Sequence, residues 1–353
     1  MRILIVHPGP NFSVADVWAG WSEALERLGC EVHSYNLDDR LAFYGHCMMP
    51  TGNEDEEGRP EIRRAMTDDQ AIYAALQGLT HALYTYWPDV VLFVSGFWMS
   101  PGLLHTIRQR RHKIVILHTE CPYQDDSQLD RAQFADINLL NDAISLDRFS
   151  MLDGHAEYMP HAYRPSIHFP RPARVPLDPA LAADLAFVGT GFASRIEFFE
   201  NMDLEGLDVL LGGFWPDLTE DSKLWKYIAH ETELCVDNSE TALIYRHAKS
   251  GINFYRREWE SGMKVEGGWA MGPREVEMAA CGLFFLRDPR AEGDEIFPML
   301  PTFSGPGDAS EKLRWWLAHE KERAEAAQAA RAAIADRTFA NHARRLLQML
   351  DDL

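Results

Sequence analysis

Two successive doubly wound α/β domains are what this 353-residue sequence predicts. Strand-length apolar runs alternate with helical stretches from Ile3 onward, a proline-rich break interrupts that rhythm after Tyr158, and the rhythm then restarts at Leu185. The length is too great for one ordinary core, which agrees with two domains.

Ile3 to Val6 reads as a buried strand, ended by a Pro/Gly turn from His7 to Pro10. Val14, Val17, Trp18, Trp21, Leu25 and Leu28 recur at helical spacing and Gly29 stops the run; Cys30 to Leu37 is the next strand, completing a βαβ opening. It lacks a GxGxxG fingerprint, which weakens a dehydrogenase reading. Residues 43–68 break the pattern with Gly, Pro and acids and form either a flap near a site or a surface loop. Ala71 to Tyr86 is a helix, Asp89 to Ser95 an apolar central strand, Leu103 to Arg111 a helix, and Lys113 to Leu117 and Ala135 to Leu140 further strands.

From Tyr158 to Asp184 six prolines rule out any regular element. Beyond them come a strand at Leu185 to Val188, a tight turn at Gly189 to Gly191, a helix at Ser194 to Met202, and Leu207 to Leu211 leading into Gly212 and Gly213. A helix at Thr241 to Lys249 and a strand at Ser250 to Tyr255 follow, and two helices, Asp308 to Arg331 and Phe339 to Leu353, close the chain.

Met271 to Asp288 organises the second half: Gly272 and Pro273 open a short helix, Gly282 ends it, and Leu283 to Leu286 make a buried strand. The start of such a helix offers backbone N–H groups and partial positive charge to an anion, phosphate above all. Arg274 stands beside that seat and suits a bidentate grip on phosphate. Glu277, three residues on, shares its face and suits the hydroxyls of a ribose; the plain alternative is a surface i, i+3 pair.

A net charge of −20 disfavours nucleic acid and anionic membranes as partners, against which stands one basic run, Arg108 to Lys113. Cys30, Cys47, Cys121, Cys235 and Cys281 form no CxxC pair, which predicts free thiols in a reducing compartment, the cytoplasm. The start MRILIVHPGP reads as neither signal peptide nor anchor, and no stretch reaches membrane-spanning length.

With these elements in place, the chain resembles the GT-B glycosyltransferases, and most of all the group-1, CgeB-like spore-maturation and phage-encoded enzymes. LAFVGTGFASRIEFFENM at 185–202, LIYRHAKSGINF at 243–254, GPREVEMAACGLFFLRD at 272–288 and DRTFANHARRLLQML at 336–350 carry the likeness, with MPHAYRPSIHFP at 159–170 resembling the family's interdomain crossing. The resemblance implies two Rossmann-like domains facing a cleft: an acceptor-binding one at 1–172, a donor-binding one at 173–335, and a C-terminal helix at 336–353 packing back toward the first. It also implies a nucleotide-sugar donor. Gly189, Thr190 and Gly191 would let the backbone approach its diphosphate, Arg195, Lys249 and Arg274 would supply positive charge, Glu277 would bind the ribose, and Asn253 would face the sugar. Where the family's retaining branch often has a second glutamate, eight residues before the first, this chain has Trp269.

The sequence has no Asp-x-Asp handle for a divalent ion, so no metal or other cofactor is expected, and Arg195, Lys249, Arg256, Arg257, Lys264 and Arg274 are left to stabilise the leaving diphosphate. A general base is expected at a strand end of the first domain: His7, His118 or Glu120, the last matching an acidic position before proline in the family. His46 with Cys47, and His118 with Cys121, do not make a zinc set. Trp87, Trp98, Trp215, Trp259 and Trp269 are core or stacking residues, with Trp269, in the glycine-rich loop 261–272, the expected ligand contact.

The expected activity is glycosyl transfer to a protein, a glycan, a small molecule or a modified DNA base. The alternatives are a nucleotide-sugar epimerase or hydrolase of the same architecture, and a non-catalytic nucleotide-sugar binding protein.

Overall fold

The computed structural model describes residues 1–9, 15–54, 57–229, 236–258 and 267–353; Val14, Cys235, Trp259 and Lys264, used above, lie outside them. The chain divides into two compact units, Met1–Met159 and Pro160–Leu353. The division falls ahead of residue 172, so the proline-rich stretch goes with the second unit, as does the terminal helix.

The first unit runs β1 (Arg2–His7), α1 (Ala15–Arg27), β2 (Glu31–Asn36), α2 (Leu37–Gly45), β3 (Met48–Glu54), β4 (Pro60–Arg64), α3 (Asp68–Tyr86), β5 (Val90–Val94), α4 (Pro101–Gln109), β6 (Lys113–His118), α5 (Asp125–Ala132), β7 (Ile137–Leu140), α6 (Leu146–Phe149) and β8 (His155–Tyr158). Six strands form one parallel sheet in the order β2-β1-β5-β6-β7-β8. Every residue of β5 is buried, as a central parallel strand requires. A capping box of Thr67 and Gln70 starts α3, and Ser100 with Pro101 starts α4.

Six elements of this unit, α2, β3, β4, α5, α6 and β8, are not foreseen from the sequence. The 43–68 stretch holds the end of α2 and an antiparallel hairpin, β3 with β4, whose residues are all exposed and so show no alternation of apolar and polar side chains. The α5 sequence DDSQLDRA is too polar to display a helical period, and the edge strand β8, HAEY, has no apolar run.

The second unit runs β9 (Leu185–Val188), α7 (Ala193–Asn201), β10 (Val209–Gly212), α8 (Asn238–His247), β11 (Gly251–Asn253), α9 (Pro273–Ala280), β12 (Phe285–Arg287), α10 (Ala291–Ile296), α11 (Pro306–Ala318), α12 (Glu320–Ala333) and α13 (Phe339–Asp351). Its four strands are parallel in the order β10-β9-β11-β12, around a core that includes Phe187, Phe199, Trp215, Tyr245, Phe285 and Phe297. The proline-rich stretch carries no helix or strand before β9 and is pinned by Tyr163, whose N–H donates to the Arg337 carbonyl. The helix expected at 308–331 is two, because His319 leaves the helical backbone region at φ −111° and ψ 71°.

Two glycines are fixed by close approach. Gly213 has φ +118°, and a Cβ there would lie 2.2 Å from the Gly189 carbonyl oxygen. A Cβ on Gly191 would lie 2.2 Å from the Trp215 ring. Gly206, at φ +73°, has open space around its missing Cβ. Gly206→Ala should therefore cost only the left-handed backbone, about 1 kcal/mol, while Gly213→Ala adds a backbone collision and should cost at least about twice that in urea unfolding. Equal losses would contradict the packing described.

Candidate functional site

The order of the second sheet reverses between β9 and β11: β10 lies to one side and β12 to the other. In open parallel sheets a ligand crevice forms outside the strand C-termini at such a point. Arg195, in the first turn of α7, spans it. Its Nε and Nη2 donate to the Phe254 carbonyl at 3.0 and 2.8 Å, and its Nη1 donates to the Thr190 carbonyl at 2.8 Å. One side chain thus ties together the ends of β9 and β11.

Three of the five guanidinium N–H groups are spent on carbonyls, and among the described residues the other two have no hydrogen-bond acceptor. Burial first, and then the nearby Arg256 charge, pull the Arg195 pKa down to about 10, so it stays cationic at neutral pH. Arg274 acts on Arg195 in the same direction, while Glu258 and Asp288 oppose it. Locally, then, arginines gather at one strand edge of a strongly acidic chain.

Asn253 ends β11, is 7% exposed, and its Nδ2 has no hydrogen-bond partner among the described residues. A buried amide left this way carries an uncompensated desolvation cost unless something binds it. Glu277, on α9, is 5% exposed. Its Oε2 accepts from Arg274 Nη1 at 2.7 Å and its Oε1 from Asn238 Nδ2 at 3.3 Å. The expected i, i+3 pair therefore forms, but on a buried carboxylate rather than at the surface.

Several expectations change. Lys249 is exposed and binds Asp184 at 2.7 Å, just before β9 begins; it lies at the opposite edge of the sheet from Arg195 and takes no part in this group. The Gly189 and Gly191 N–H groups donate to the Gly212 and Phe214 carbonyls, so those two donors are committed within the fold. Thr190 enters through its carbonyl, which holds Arg195. Trp269 is half-buried, with its carbonyl accepting from the Glu292 N–H at 3.1 Å. Trp215 is core, 1% exposed.

Two N–H groups of the anion seat at the start of α9 are taken by the protein itself. Glu275 Oε2 accepts from the Gly272 N–H at 2.9 Å and from the Tyr255 hydroxyl, and Glu292 Oε2 accepts from the Met271 N–H at 2.8 Å. Pro273 brings no N–H. At α7, Glu258 Oε1 accepts from the Ser194 N–H at 2.7 Å. The sequence held a signal for the first of these, a glutamate three residues after the cap. It held none for Asn238 or Glu258, whose partners lie 36 and 64 residues away.

In the first unit, His118 is fully buried, bonded through Nε2 to Asn138 at 2.8 Å and packed edge-on against Phe149. It cannot reach a substrate and is withdrawn as a base. His7, at the end of β1, stacks on Trp18 with ring centroids 4.2 Å apart, and its Nδ1 has no hydrogen-bond partner among the described residues. Burial lowers its pKa to about 4, so the ring is neutral. Glu120 follows β6 half-buried, its N–H donating to Gln128. Ser95, after β5, has φ +65° and shares a 2.6 Å hydroxyl contact with Thr119; Gly96 and Trp98 nearby are also at positive φ. Cys30, Cys47, Cys121 and Cys281 are free thiols.

Residues 195–351 match the protein-family model described as glycosyl transferase-like, a span that opens on Arg195 and contains Asn253, Arg274 and Glu277. No curated protein matches the chain. Among solved structures, the sucrose-phosphate synthase of Thermosynechococcus elongatus is 12% identical over 99% of both chains, with a TM-score of 0.63. The trehalose-6-phosphate synthase OtsA is 12% identical over 100% of this chain and 99% of its own, at 0.66. The Anabaena protein HepE, solved in complex with UDP-glucose, is 10% identical over 100% of both chains, at 0.62. Such likeness speaks for the fold: parallel α/β sheets, as in GT-B glycosyltransferase structures.

Burial raises the Glu275 pKa from 4.5 to about 7. The folded protein therefore keeps a proton that the unfolded chain releases, and this contribution to stability falls as pH rises from about 4.5 to about 7. Relative to wild type, Glu275→Gln should gain roughly 1–3 kcal/mol between pH 5 and 7.5 in urea unfolding. A pH-independent difference would contradict the buried, protonated carboxyl.

Proposed function

We propose that this protein is a glycosyltransferase that takes its sugar from a nucleotide-sugar donor held by the second unit, with UDP-sugars first in line. One observation carries the reading: Arg195, Arg274, the unpartnered Asn253 amide and the Glu277 carboxylate all belong to the strand-C-terminal side of one switch point. The family match over this unit and the UDP-glucose bound to HepE support it. The order of the motifs supports a place among the CgeB-like enzymes.

In this reading the guanidinium groups of Arg195 and Arg274, aided by Arg256, neutralise the charge that develops on the departing diphosphate, so no divalent ion is required. Two N–H groups of Arg195 remain for phosphate oxygens. Glu277 accepts the ribose hydroxyls, and Asn253 Nδ2 donates to the donor. On the acceptor side, His7 or Glu120 takes the acceptor proton where the mechanism needs a base. Neutral His7 has a buried Nδ1 and low basicity, which favours Glu120. The acceptor is a protein, a glycan, a small molecule or a modified base. Free thiols suit a cytoplasmic setting, and among the described residues no helix is long and apolar enough to cross a membrane.

A thermal-shift panel of nucleotide sugars in EDTA tests this. One UDP-sugar should raise the melting temperature, Arg274→Ala and Glu277→Ala should each weaken its binding by about tenfold or more, and Lys249→Ala should leave it unchanged. A donor that binds both variants like wild type would refute the site. Turnover of donor with no acceptor present would favour the hydrolase or epimerase reading.

A further inference from the structure

Asn238 is the first residue of α8, and Asp237 fixes its backbone by capping that helix through the Ser239 N–H at 2.8 Å. Its amide touches both members of the Arg274–Glu277 pair. Oδ1 accepts from Arg274 Nη1 at 2.7 Å, and Nδ2 donates to Glu277 Oε1 at 3.3 Å. Because arginine only donates and a carboxylate only accepts, these partners settle which amide atom is oxygen. Nδ2 also lies 3.2 Å from His168 Nε2. The Arg164 N–H donates to His168 Nδ1 at 3.2 Å, which puts the ring proton on Nε2, so the amide donates to the carboxylate and not to the ring.

The inventory of lone pairs gives this arrangement a meaning. An ionised carboxylate has two acceptor sites on each oxygen. Arg274 uses one on Oε2 and Asn238 uses one on Oε1, which among the described residues leaves one on each, in a plane that the two protein donors hold. Two neighbouring acceptors held apart in this way match two neighbouring hydroxyls.

We propose that Asn238 is a positioning residue that makes the donor site specific for a ribonucleotide, by holding Glu277 so that both of its oxygens keep an acceptor for the 2′- and 3′-hydroxyls. This rests on the donor reading above. Without the amide, the carboxylate turns to take a second N–H from Arg274 and loses one of those acceptors. Asn238→Asp keeps the acceptor for Arg274 but sets a second negative charge against Glu277.

Calorimetry in EDTA with UDP and 2′-deoxy-UDP tests the assignment. Wild type should prefer UDP by about tenfold or more, the worth of a hydrogen bond to a charged group. Asn238→Ala and the nearly isosteric Asn238→Asp should bind UDP more weakly and bring that preference to within about twofold, as Glu277→Ala does. A residue that merely supported the fold would change both affinities alike and leave their ratio intact. Either Asn238 variant retaining the wild-type ratio overturns the proposal. A wild-type protein that binds UDP with no preference overturns the ribose role of Glu277, and one that binds neither nucleotide overturns the donor reading itself.

Discussion

The second unit depends on one cation placed between two strand ends. Arg195 donates to the carbonyls of Thr190 and Phe254, which follow β9 and β11, and so joins the chain across the point where the sheet order reverses. The Thr190 carbonyl also accepts from the Phe192 N–H at 3.1 Å, and the guanidinium bonds both carbonyls at once. The same side chain keeps two N–H groups, stays charged although burial opposes it, and lies close enough to Arg256 and Arg274 to feel their charges. In the proposed function this structural clamp would also be the floor of the diphosphate site.

Helix starts, by contrast, contribute less than their polarity suggests. Glu275 and Glu292 occupy the N–H groups at the entry to α9, and Glu258 occupies one at the entry to α7. These carboxylates lie where a diphosphate would otherwise meet backbone amides, so charge from arginine, more than the helix dipole, decides the fit for an anion. The buried carboxylate of Glu277 is different: two donors orient it and leave it acceptors.

Much of this was legible in the residues. The strands at Leu185 to Val188 and Asp89 to Ser95 announce themselves because both faces are buried, and their apolar runs have no other home. Arg274 and Glu277 were legible because helical spacing alone puts them together. Lys249 was misplaced although the same logic was available: a residue before a parallel strand lies at the edge opposite to one after it, and ligand crevices of open parallel sheets form at the second edge. His118 looked like a strand-end base, yet its alternation in β6 turns it inward onto Asn138 and Phe149. Asn238, Glu258 and the hairpin of β3 and β4 were not legible, since long-range contacts and fully exposed strands leave no local period.

In the proposed function, arginine side chains of the second unit hold a diphosphate without a divalent ion. Comparing uridine with UDP by calorimetry in EDTA asks this most directly. UDP should bind at least about a hundredfold tighter than uridine, as two charge-assisted contacts would provide. Equal affinities, or a UDP advantage that appears only when magnesium or manganese is added, would contradict it.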